Sequence, residues 1–256
     1  MVDPILGAAV YFNPSSARVA AEWLDGSLAL LARSGAPVRV FGTDGVSGLE
    51  SDVLHPYPPY AERLRSALQS KPCMHLELHA LAKELEAILQ PQGTAQFSGE
   101  FGVAFIGLPP GAGLRPGELL QEVYRLARVT VRARYGIAYF RSNLFGPAQY
   151  AKGILGKSTT LPFEDDPLAR ERIRKWLQHK LQGNAYPQDG FRSVYPAQLV
   201  SDVHRTARVD TGQTVADLGL GTWTPADDGL WLWELTDDEV TEAKAILDRS
   251  GLLLAA

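Results

Sequence analysis

Cys73, His75 and His79 are the side chains whose types and spacing first invite chemistry, and that chemistry would be metal binding. Read as a helix, the segment places His75 and His79 four apart on one face, a common two-ligand geometry. Glu77 lies between them, yet the order does not make the H-E-x-x-H pattern of a zinc protease, and no third or fourth ligand is near in sequence. Structural zinc takes four ligands, so the expectation is no metal. The competing placement sets both histidines beside an apolar stripe of Met74, Leu78 and Leu81, half covered and hydrogen-bonded.

Other constellations fare no better. Val215-Ala216-Asp217-Leu218-Gly219-Leu220-Gly221-Thr222 looks like the glycine loop of methyltransferases. That loop must follow the first strand of a doubly wound sheet, and only about one strand-helix-strand unit of chain remains here. A glycine pair in a turn is the better account. There is no G-x-S-x-G elbow, and no base is identifiable for Cys73. Glu242-Ala243-Lys244 has the E-x-K form of a nuclease, but on a helix rather than a strand. The expectation is therefore a protein with no catalytic set and no cofactor.

Two features favour binding. Acids crowd the C-terminal region at Asp227, Asp228, Glu234, Asp237 and Asp238, and Trp223, Trp231 and Trp233 lie among them. Aromatic anchors ringed by acids suit a basic protein partner. The proposed contact set is Trp223, Asp227, Asp228, Glu234, Asp237 and Asp238, and charge reversal at Asp227 and Asp228 is expected to abolish binding. The structural alternative is that Trp231 and Trp233, two apart in a strand, share a core face, while the acids cap a helix.

These residues must be positioned by recognisable elements. Ile5 to Phe12 is a continuous apolar run ended by Asn13-Pro14, a buried first strand. Ser15 or Ser16 then caps a helix with Ala20, Trp23, Leu24, Leu28 and Leu31 inward. Val38 to Phe41 reads as a second strand, and Gly42 to Ser51 and His55 to Pro59 as loops. Two helices follow, broken at Pro72, the second carrying Met74, Leu78, Leu81, Leu85 and Ile88. Phe97 to Ile106 reads as one alternating strand with Phe97, Phe101, Val103 and Phe105 on one face. Pro116 begins a further helix and Tyr135 to Arg141 is a strand. Ser142 to Leu161 is loop-like, Asp165 or Asp166 starts a helix, and Pro196 to Arg205 is a short helix. Gly229 to Leu235 is a strand. Thr236 and Glu239 then form a capping box, with Leu235 and Val240 as a hydrophobic staple. That last helix ends at Gly251, and Leu252 to Leu254 returns as a short strand. The fold class is α+β: a mostly antiparallel mixed sheet with helices packed on one face. It forms a single compact domain over 1–256, or two intimately packed halves of about 1–130 and 131–256.

A chain of 256 residues with 45% hydrophobic and 21% charged content can bury a full core. A net charge of −4 argues against a nucleic-acid backbone as partner, which calls for surplus Lys and Arg. One cysteine excludes an internal disulfide and suits a reducing compartment. The N-terminus has no signal-peptide pattern and no apolar run is long enough for a bilayer, so a cytoplasmic location is expected, with no membrane partner.

Three stretches carry a family resemblance: Tyr135-Gly136-Ile137-Ala138-Tyr139 with Gly146 to Gly153, Phe191 to Ser201, and Gly221-Thr222-Trp223 followed by Asp228 to Trp233 and the closing helix. Together they resemble the immunity protein 52 family of polymorphic toxin systems and, more distantly, type VI secretion immunity proteins. The resemblance implies a non-enzymatic bacterial antitoxin that binds and occludes a cognate effector, often a nuclease. It also implies structural roles for Trp23, Phe101, Asp189 and Arg192, and it carries no interface residues across. Two other functions compete: a metal- or small-ligand-dependent enzyme using His75 and His79, and a structural part of a phage-like or secretion apparatus.

Overall fold

The computed structural model describes residues 4–13, 18–44, 46, 48–51, 53–70, 73–80, 93–141, 147–153 and 190–254. Its first strand, β1 (Ile5–Phe12), is buried at every position. That explains its unbroken apolar run: Leu6, Ala8, Val10 and Phe12 enter one core layer, while Ala9 and Tyr11 enter a second. β1 is an inner strand, paired with β6 (Val103–Leu108) on one side and β7 (Ala133–Arg141) on the other.

Ten strands form one sheet in the order β3-β2-β4-β5-β6-β1-β7-β8-β10-β9. The remaining strands are β2 (Val40–Thr43), β3 (His55–Pro56), β4 (His75–Ala80), β5 (Gly93–Ser98), β8 (Ala197–Ser201), β9 (Thr222–Pro225) and β10 (Leu230–Glu234). Among the ten described strands every pairing is antiparallel, so the α+β reading with a mostly antiparallel sheet holds. Helices α1 (Ala21–Arg33), α2 (Tyr57–Ser70) and α3 (Pro116–Ala127) supply Trp23, Leu64 and Leu120 to the first core layer. α4 (Pro147–Lys152) and α6 (Asp237–Arg249) supply Tyr150 and Leu247 to the second, so described helices lie on both faces. A short α5 (Asp202–Thr206) follows β8.

Several expectations are corrected. His75 to Ala80 is strand, not helix, and its alternation of half-buried and buried positions is the period-two signature. Leu81, Leu85 and Ile88 lie outside the described residues, as do Ser15, Ser16 and the helix expected from Asp165. Phe97 and Phe105 sit on opposite faces, because the chain reverses at Gly99–Gly102 between β5 and β6. The second strand begins at Val40 rather than Val38. Tyr57-Pro58-Pro59 opens α2 instead of closing a loop, since a first helical turn needs no proline N–H. Pro147 to Lys152 is helical within the expected loop, and Ala197 to Ser201 is strand before the short helix. Leu253 makes a single parallel bridge to Phe191.

Candidate functional site

The C-terminal hairpin holds all but two of the expected contact residues. β9 and β10 pair with Trp223 opposite Trp233, and the two indoles stack at 4.8 Å between centroids with an 8° interplanar angle. Trp233 is fully buried and donates Nε1–H to the Leu220 carbonyl at 2.9 Å; Trp231 donates to Asp202 Oδ1 at 2.8 Å beneath Arg205. Trp223 is half-buried on the last strand of the sheet.

The acids divide into two groups. Asp227 and Asp228 form the hairpin turn, where Asp228 (φ 61°) and Gly229 (φ 75°) are both left-handed. Asp227 ion-pairs with Arg128, and its carbonyl accepts the Tyr124 hydroxyl at 2.8 Å. The same hydroxyl donates to Asp228 Oδ2 at 3.3 Å; burial, with Asp228 beside it, pushes the Tyr124 pKa up to about 12. Both residues are thus engaged in fastening the turn to the C-terminal end of α3. Glu234 stands at the far end of β10, about 13 Å away at strand rise. Its carboxylate lies so near Gly117 that a Cβ there would strike it, which places the charge at the N-terminal turn of α3. Asp237 and Asp238 are exposed in the first turn of α6. The capping box there forms as expected: Thr236 Oγ1 accepts from Glu239 N, and Glu239 accepts from Thr236 N at 2.8 Å and from Gly221 N at 2.9 Å.

A second polar constellation lies at the other end of the sheet, and sequence reasoning placed it on the wrong element. His75, Glu77 and His79 line one face of β4. Glu77 Oε2 is 3.9 Å from His75 Nε2 and 3.5 Å from His79 Nε2, and Gln96 donates Nε2–H to it at 3.4 Å. Hydrogen bonds from His75 and then His79 hold the Glu77 carboxyl well below the usual carboxylate range. His79 Nδ1 meets Thr94 Oγ1 at 3.2 Å. Gly42 faces Glu77 across β2, and a Cβ there would clash with the carboxylate. Cys73 is turned into the opposite core layer, where its thiol meets Thr43 Oγ1 at 3.1 Å and the His75 carbonyl at 3.0 Å. Burial raises its pKa. Among the described residues no group of three His, Cys, Asp or Glu is arranged to hold a metal ion.

Arg192 anchors the second core layer. It is 1% exposed, donates to the Tyr11 hydroxyl at 2.6 Å and to the Tyr150 carbonyl at 2.5 Å, and stacks over the Tyr150 ring. Trp23 is fully buried, Phe101 half-buried, and Asp189 lies outside the described residues.

Among solved structures, a Pseudomonas aeruginosa T6SS protein, PA0821, is similar with a TM-score of 0.54 at 12% identity, over 98% of this chain and 73% of that chain. At that identity the likeness speaks for the fold. No protein-family model and no curated protein matches the chain, so it is not assigned to the immunity protein 52 family. No described helix is long and apolar enough to cross a membrane.

Proposed function

We propose that this chain is a non-catalytic immunity protein that binds and neutralises a cognate toxin of a type VI secretion system by covering its working surface. The observation that carries the reading is the structural likeness to a T6SS protein across 98% of the chain. The aromatic and glycine landmarks in Tyr135–Tyr139, Phe191–Ser201 and Gly221–Trp233 add to it. A tight neutralising complex buries roughly 1,600 Å² in total, and this molecule offers two surfaces built of polar groups with an aromatic nearby. One is the hairpin end, where Asp237 and Asp238 remain exposed beside α6; the other is the polar row of β4. They stand about 29 Å apart by strand spacing across the sheet, so a single toxin centres on one of them.

The reading is tested by expressing the toxin of the neighbouring gene in a bacterial host with graded amounts of this protein. Protection that begins only when the protein matches the toxin in amount supports a stoichiometric blocker. Protection at a small fraction of the toxin level is the behaviour of an enzyme and overturns the non-catalytic reading. No protection at any level overturns immunity altogether.

A further inference from the structure

The face of the C-terminal hairpin that carries the tryptophans is only half covered. Strand register sets its side chains next to one another: Trp223 lies opposite Trp233, and Pro225 opposite Trp231. Trp233 is the buried member of the four, Trp223 and Trp231 are half-buried, and Pro225 is exposed. Partly exposed indoles held in fixed geometry beside an arginine have the composition of an interface anchor.

The two half-buried indoles differ in what they hold. Trp231 already carries a cation: the Arg205 guanidinium lies 4.1 Å from its ring centroid. Asp202 Oδ1 accepts the Trp231 indole N–H at 2.8 Å and stands 3.9 Å from the same guanidinium. Trp223 has one ring face against Trp233, parallel to within 8° at 4.8 Å. β9 is the last strand of the sheet, so the opposite ring face looks outward past the sheet edge. Among the described residues no guanidinium or ammonium lies over it.

Carboxylates flank that outward face along the strand. Glu239 accepts the N–H of Gly221 at 2.9 Å, two residues before Trp223 and so at most about 7 Å of chain away. Asp202, its side chain 68% exposed, sits on Trp231, whose cross-strand neighbour Pro225 is two residues after Trp223. Residues 201–256 hold eleven Asp and Glu against four Lys and Arg, which selects a cationic visitor over an anionic one. We propose that the outer face of Trp223 seats an arginine side chain of the partner polypeptide, stacked as Arg205 stacks on Trp231, with Glu239 and Asp202 to either side. This rests on the toxin-binding reading and makes the hairpin, rather than the β4 row, the centre of the interface. Trp233 holds the ring in place before the partner arrives, so little ordering is left to the binding step.

The test uses Trp223→Leu, Trp223→Phe and Asp202→Asn in the full chain. Each is titrated with a nona-arginine peptide and with the product of the neighbouring gene made by cell-free translation. Trp223→Leu should weaken both complexes by about tenfold, the scale of a desolvated cation–π contact. Trp223→Phe should lose less, because its ring attracts a cation more weakly, and Asp202→Asn should lose about threefold, mostly in association rate. Phe keeps a ring on Trp233 and Asn keeps an oxygen for the Trp231 indole, so these two variants decide the matter if Trp223→Leu lowers the Tm. Unchanged peptide affinity across the variants overturns the proposal. So does a gene product that binds all three as the parent does but is lost on His75→Gln, since the β4 row is then its site. A parent that dimerises, and that Trp223→Leu makes monomeric, assigns the face to a second copy and overturns it as well. Peptide binding that depends on Trp223, with no capture of the gene product, supports the arginine seat and overturns the toxin reading alone.

Discussion

Asp228 shows how one backbone angle decides what an acidic side chain is for. At φ 61° it occupies a region that strains any residue with a Cβ, and Asp tolerates it better than most. Asp228-Gly229 is the dipeptide that favours a tight hairpin turn, but read from the sequence the strand begins at Gly229 and the reversal between β9 and β10 is not anticipated. What the residues around it could not reveal is that Tyr124 and Arg128, about a hundred positions earlier, close on the turn. Asp227 and Asp228 therefore serve the fold, and a charge reversal there disturbs the hairpin before it reports on any partner. Asp228→Ala should lose about 1–2 kcal/mol, from left-handed strain and the missing Tyr124 contact. Asp228→Gly should lose less, because glycine accepts the angle freely. Urea unfolding of both variants separates them, and equal losses would show that backbone strain contributes nothing here.

At the scale of elements, the segment His75-Leu76-Glu77-Leu78-His79-Ala80 carries the main lesson. Met74, Leu78 and Leu81 match a helical stripe, while Leu76, Leu78 and Ala80 match a strand face equally well. Six residues are too few for periodicity to choose. Tertiary context chooses: β2 and β5 flank the segment and pair with it on both sides. The histidines share a face on either reading, but only the strand puts Glu77 between them on that same face. The sign of the consequence follows from the lowered Glu77 pKa. Its stabilising contribution is fully present above the unfolded value of 4.5 and is lost as pH falls through the lower folded value. Glu77→Gln should thus be less stable by about 1.5 kcal/mol at neutral pH, the scale of a hydrogen bond to a charged group. Its stability should also decline less steeply than the parent's on acidification below about pH 4.5. Parallel stability curves for the two proteins would contradict the bridged arrangement. Elements with strong local punctuation were read correctly, among them β1 and the capped α6, because their signals lie within a few residues of each other.

The described strands form one antiparallel sheet in which β1, the first strand in sequence, is an inner strand. Its length and unbroken burial announce an interior strand, but the order of its neighbours depends on pairings between distant segments that no local pattern encodes. The candidate site was legible in the same uneven way. The acids and tryptophans of the hairpin stood out by type, whereas the Glu77–Gln96 contact joins residues nineteen apart on two strands and left no local trace. The sheet also ends in a guarded edge. Pro225 offers no N–H on β9, and Glu239 occupies the N–H of Gly221, both of which discourage open-ended strand addition. The most direct measurement is the mass of the species recovered when this protein, tagged, is purified from cells that also express the untagged product of the neighbouring gene. The account predicts a one-to-one complex whose toxin is inactive until separated. Recovery of the tagged protein alone, beside a toxin that remains fully active, would contradict it.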